Sequence, residues 1–163
     1  MSRGPETFAE LLTELERRER AGVFVASPGD GWMPPRWTAG QAFEHCAQSI
    51  EYAMTGFPRM NSGLFRATIG RIAAWKFLRK GAMKHSRAAM IPGAPELTAR
   101  TVGEGLERLR AAIGRFQAYA GPLAPHFALG DIAARKDYER LQVFHVADHL
   151  RDWPETVAEV RRG

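Results

Sequence analysis

The sequence predicts an all-α protein, a four-helix bundle with short extra helices. Three observations carry this. Apolar residues recur at helical spacing through most of the 163-residue chain. Period-two alternation of the kind a strand needs is absent. Three capping-box patterns, Thr38-Ala-Gly-Gln41, Thr101-Val-Gly-Glu104 and Asp152-Trp-Pro-Glu155, each mark a helix start.

The first helix is expected from Pro5 to Arg20. Pro5 suits a first helical turn, and Glu6 and Glu10 suit the positive end of the helix dipole. Phe8, Leu11, Leu12 and Leu15 form its apolar stripe, and Gly22 ends it. Prolines and glycines between 23 and 36 mark a loop. The second helix begins at the Thr38 box, buries Phe43, Cys46, Ala47, Ile50 and Met54, and stops at Gly56 and Pro58. A third, Ser62 to Arg79, spreads its apolar residues widely around the axis and is closed by Gly81; residues 82–98 follow as a long loop. The Thr101 box opens a fourth helix with Leu106, Leu109, Ile113, Phe116 and Tyr119 inward, broken by Gly121, Pro122 and Pro125. The fifth, Ala133 to Arg151, is apolar nearly all round, which implies burial between other helices. The Asp152 box starts a short terminal helix over 153–161.

Composition narrows the function classes. Hydrophobic residues are 45% and charged residues 25%, so the chain is neither disordered nor collagen-like. The longest uncharged stretch, 116–130, contains two prolines and is too short to span a bilayer. The N-terminus has no apolar core of a secretory signal, and the lone Cys46 cannot form an internal disulfide. A single cytoplasmic domain with no membrane association is expected. The net charge is +5, but it is uneven: from Tyr52 to Pro95 there are eight basic residues and no acidic one. Arg66, Lys76, Arg79 and Lys80 share an arc of the third helix with Phe65, Ile69 and Ile72. No clean docking stripe results and no zinc-finger, basic-zipper or RRM pattern is present. Nonspecific polyanion or nucleic-acid binding is therefore the weakest of three readings.

The strongest chemical feature is His145-Val-Ala-Asp-His149. The i, i+4 spacing puts both imidazoles on one side of a helix, where they can chelate one metal ion, and the apolar helix around them points to burial. Two separately hydrogen-bonded core histidines would explain the same spacing. A third ligand could come from His45, His85 or His126. His45 lies off the apolar stripe, beside Gln41, Gln48, Ser49 and Tyr52, which suits either solvent or a second buried surface facing a cavity. Cys46 points into the apolar stripe as a small core residue, and Tyr138 shares a face with His145. Asp152 reads as a helix cap, and Asp148 could hold an imidazole N–H.

Trp37-Thr-Ala-Gly-Gln41, His45-Cys-Ala-Gln-Ser-Ile-Glu-Tyr52, Ile91-Pro-Gly-Ala-Pro95, His126-Phe-Ala-Leu-Gly130 and His145-x-x-x-His149-Leu, in this order, resemble the DinB/YfiT-like superfamily of metal-binding four-helix bundles. Within it they resemble a bacterial branch described as a domain of unknown function. The resemblance implies an up-down-down-up bundle, often a homodimer. It also implies His45, His145 and His149 as ligands of a divalent ion, usually zinc and sometimes nickel, with an open position. Thiol-dependent transferases occur in the superfamily, and many members carry Gln where this chain has Asp152. Two readings follow. One is a metal-dependent enzyme, a thiol S-transferase or hydrolase, whose small-molecule substrate could be an anionic thiol drawn in by the basic segment. Its pocket would be shaped by loops 23–37, 82–98 and 121–131, with His85 and His126 as acid/base groups or substrate contacts. The other is a non-catalytic dimeric helical module.

Overall fold

A computed structural model describes residues 4–25, 37–86 and 89–153. Six α-helices are present among them: α1 (Phe8–Arg20), α2 (Ala39–Thr55), α3 (Gly63–Phe65), α4 (Arg71–Lys80), α5 (Val102–Ala118) and α6 (Arg135–Leu150). A 3₁₀ turn covers Val23–Val25, and a π-turn, Arg66–Gly70, joins α3 to α4. The described residues contain no strand; one isolated bridge pairs His126 with Gly130. The all-α expectation holds.

The caps explain the boundaries. α1 starts three residues later than Pro5 predicts, because the Thr7 hydroxyl accepts the Glu10 N–H and stops the helix there. α2 has the full reciprocal box, with Thr38 accepting from Gln41 N–H and Gln41 accepting from Thr38 N–H. At α5 only half the box forms. Thr101 accepts from Glu104 N–H, while the Glu104 carboxylate reaches one residue further back, to Arg100 N–H. Pro154 and Glu155 of the Asp152 box and the rest of the terminal helix fall outside the described residues, as do residues 26–36 of the first predicted loop.

α2 packs along α5 as the central pair, and α6 lies against α1, α2 and α4. The core between them is built from Phe8, Leu11, Leu15, Phe43, Ile50, Leu109, Ile113, Phe116 and Phe144, all essentially inaccessible. Each fully buried side chain of this size contributes roughly 1.5–3 kcal/mol. The α2–α5 contact is close enough that a methyl group on Gly105 would fall 2.1 Å from the Gly40 carbonyl oxygen. Gly105 therefore serves backbone approach between helices. From Leu141 onward α6 is buried nearly all round, as predicted, while Arg135 and Lys136 of its first turn are exposed.

The wide apolar spread of the third predicted helix resolves into two sides. Ala74 is buried, with Ala73, Phe77 and Leu78 half-buried against the core. Leu64, Ile69, Ile72 and Trp75 are exposed. Gly70 presses its backbone onto the 126–130 hairpin, where a Cβ would meet the Ala128 carbonyl at 2.1 Å.

Candidate metal centre

α2 and α6 supply three histidines from rigid positions. His45 is buried, and so are Glu44, Gln48 and Ser49 beside it. Of the two placements the sequence allows, the second buried surface is the one α2 adopts. α6 brings His145 and His149, one turn apart, to the same place. The fourth histidine, His85, comes from the loop after α4. Together the four offer ligand atoms that all lie within 4.8 Å of one another.

Two contacts define the geometry. His45 Nε2 is 3.2 Å from His145 Nε2, and His85 Nε2 is 3.2 Å from His149 Nε2. Tetrahedral zinc with bonds of about 2.0–2.1 Å places neighbouring ligand nitrogens about 3.3–3.4 Å apart. The chain's own separations suit that edge. Burial holds the His45 imidazole down to about 3, with the neighbouring His85 adding to the effect. It likewise lowers His145 well below the usual value, with His149, His45 and His85 adding charge repulsion. Neutral imidazoles are what a metal requires as ligands.

The surroundings orient these rings. Asp148 Oδ2 lies 2.8 Å from His85 Nδ1, and the same oxygen accepts the His85 backbone N–H at 3.1 Å. Nδ1 makes no hydrogen bond of good geometry there, so the contact is a close polar approach rather than a linear hydrogen bond. A carboxylate in this position leaves Nε2 free to bind and lies close to the arrangement common behind metal-bound histidines. Asp148 thus stands against an imidazole without a hydrogen bond to its ring, and the imidazole comes from a loop rather than from its own helix. Trp37 roofs the cluster, its ring 4.6 Å from that of His45 and stacked 5.8 Å from His149. Buried Arg18 donates to the Leu150 and Trp153 carbonyls and closes the C-terminal end of α6 just past His149.

Beside the cluster lies a cavity of about 390 Å³ whose walls include His45, His85, His145 and His126. Its remaining lining is dominated by apolar side chains such as Phe77, Met90, Ile91 and Leu129, with no Lys, Arg, Asp or Glu among the described residues. The basic residues Arg71, Lys76, Arg79, Lys80 and Lys84 are exposed and line none of it. Loops 82–98 and 121–131 contribute walls as expected. His126 stands apart from the four clustered histidines, on the 126–130 hairpin, with Phe57 and Phe127 packed on its ring.

Other predicted residues fall elsewhere. Cys46 is fully buried in the core, where desolvation raises its thiol pKa. Tyr138 is likewise a core residue. Asp152 donates its backbone N–H to the His149 carbonyl.

Sequence reasoning missed Glu44. This buried carboxylate accepts from the Thr98 and Ala99 N–H groups at 2.6 and 2.7 Å and pairs with Arg108 at 2.8 Å. With Gln48 donating to the Pro95 carbonyl, it ties the end of the 82–98 loop onto α2. Only its place beside His45 on the polar side of α2 could have pointed to it.

The fold and this cluster define a helical protein whose buried histidines are placed to hold a metal ion. The chain belongs to the family described as protein of unknown function (DUF1569), whose model matches residues 25–156. Neither the curated proteins nor the solved structures include a match to it. No helix of the described residues is long and apolar enough to cross a membrane.

Proposed function

We propose that this protein binds a divalent metal ion, zinc most readily, and uses it in a transferase- or hydrolase-type reaction on a small molecule. His45, His145 and His149 are the helix-borne ligands. His85, carried on a loop and held by Asp148, is a fourth ligand that closes the set at rest and yields its position to a substrate or water. The observation that carries this is the convergence of four imidazoles, two pairs of them at tetrahedral ligand spacing, on the wall of an otherwise apolar cavity. When bound, such an ion supplies Lewis acidity and lowers the pKa of a coordinated water or thiol. The protein's part is to keep His45 and His145 neutral, fix the direction of the rings and exclude bulk water. His126 belongs to the substrate side of the cavity.

The packing of α2 with α5 and of α6 with α1 and α2 supports a DinB-like four-helix bundle of up-down-down-up order as the framework. Metal analysis of the purified protein and of His145→Ala tests the reading. Near one equivalent in the first and a large loss in the second is expected; near-zero metal in both overturns it.

A second reading has its own observation. Four nitrogens form a closed set, and closed sets are the habit of structural zinc. In that case metal removal lowers the melting temperature sharply, and His85→Ala weakens binding as much as His145→Ala does. The catalytic reading expects His85→Ala to keep near one equivalent of metal at lowered affinity, while His145→Ala loses it.

A further inference from the structure

The 126–130 hairpin is built around one imidazole. His126 N–H donates to Gly130 O at 2.9 Å and Gly130 N–H returns to His126 O at 3.1 Å. This closes a tight loop that needs Gly130 at φ +78°. Inside it, the Ala128 and Leu129 N–H groups both donate to His126 Nδ1, each at 3.2 Å. A nitrogen facing two donors can only be an acceptor. The ring's proton must therefore sit on Nε2. The opposite edge has no hydrogen-bond partner among the described residues, and the residue lines the cavity beside the histidine cluster.

We propose that His126 is a tautomer-locked hydrogen-bond donor, and that it selects a neutral, mostly apolar small molecule carrying one hydrogen-bond acceptor. The ligand places that acceptor on Nε2–H and its apolar body against Phe77, Met83, Met90, Ile91 and Phe127. This deepens the proposed function by naming the substrate class of the same cavity. It also removes His126 from proton transfer. Its only lone pair is committed to the backbone, so it cannot take a proton as a base, and loss of the Nε2 proton would leave an imidazolate. Burial further holds its pKa down to about 3, which keeps the ring neutral. Away from the metal, an anionic group on the ligand body would be desolvated with no Lys or Arg among the described lining residues to meet it. This is a different ligand class from the anionic thiol suggested by the basic segment.

Two measurements test the proposal. Long-range ¹H–¹⁵N spectra of histidine-labelled full-length protein read the tautomer directly. A neutral Nε2–H ring for His126 is expected from about pH 5 to about pH 8; a proton on Nδ1, or a cationic ring in that range, overturns it. Binding of acetophenone and of benzoate to metal-stripped protein is then compared by the same spectra. Acetophenone is expected to shift the His126 Nε2–H signal and to bind more tightly than benzoate. His126→Phe should bind acetophenone about tenfold more weakly, and His126→Gln, which retains an N–H donor, should recover most of that loss. Tighter binding of benzoate, unchanged binding in His126→Phe, or no acetophenone response up to about 10 mM overturns the ligand class. The metal content of wild type and His126→Phe is measured alongside and is expected to be equal. Zero metal in both, with the acetophenone result intact, fails the metal reading while this one stands.

Discussion

Asp148 reaches His85 twice with one oxygen, 2.8 Å from its ring Nδ1 and 3.1 Å from its backbone nitrogen. The carboxylate is 3% exposed, so a buried group on α6 holds the loop that carries His85 through its backbone N–H and stands against its ring. Asp148→Asn keeps the shape and removes the charge. Its metal affinity is expected to fall roughly 10–100-fold, as for other residues that orient a ligand from behind. A competition titration with a chromophoric chelator measures this, and unchanged affinity would show that Asp148 serves only the loop.

Acid stability follows from the buried imidazoles. His45 and His126 are held at about 3, against the ordinary 6.5. Between these values the unfolded chain binds protons that the folded one does not. Stability is therefore fully present above about pH 6.5 and is lost progressively as pH falls toward 3, by up to about 1.4 kcal/mol per unit for each such histidine. Urea midpoints of metal-stripped protein at about pH 7 and about pH 5 check the sign. A midpoint that stays level or rises on acidification contradicts it.

The Gly40–Gly105 contact predicts a steric cost. Gly105→Ala places a methyl group 2.1 Å from the Gly40 carbonyl oxygen, backbone against backbone. The α2–α5 pair must separate, at a cost of about 2 kcal/mol or more. Gly114→Ala, on the same helix with nothing within 4 Å, should be neutral or slightly stabilising. Equal thermal shifts for the two variants would refute the contact.

Glu44 predicts a coupled loss of stability and cavity shape. Glu44→Gln cancels the charge that Arg108 and two backbone N–H groups share. A destabilisation of about 1–2 kcal/mol is expected, because Glu44 is itself buried and its charge-assisted hydrogen bonds give way to weaker neutral ones. Amide exchange at Thr98 and Ala99 should accelerate well beyond that of the α5 interior; exchange that stays slow there would mean that Glu44 does not hold the segment.

Much of the helical framework was readable in the residues. The Thr38 and Thr101 signals start α2 and α5 where predicted, Gly56 and Gly81 end α2 and α4, and the apolar girth of α6 announces its burial. These are local effects, set by spacing and by hydrogen bonds between neighbours. The His145–His149 pair was legible for the same reason, since four residues make about one helical turn. His85 as a cluster member was one of three open choices, because a loop has no period from which its direction can be read. Glu44 was invisible, because its partners lie 54 to 64 residues away along the chain.

The sequence by itself determined an all-α protein, the helices that bear His45, His145 and His149, and the side of α6 on which the last two sit. Only the tertiary structure decided that His85 joins them and that Asp148 stands behind it. The same holds for the His126 proton, which two backbone N–H groups assign to Nε2. Helix periodicity is short-ranged and is written in neighbouring residues. The convergence of four imidazoles and the polarity of a cavity depend on how helices and loops distant in sequence pack together, and the charge of a segment does not reveal which way its side chains face.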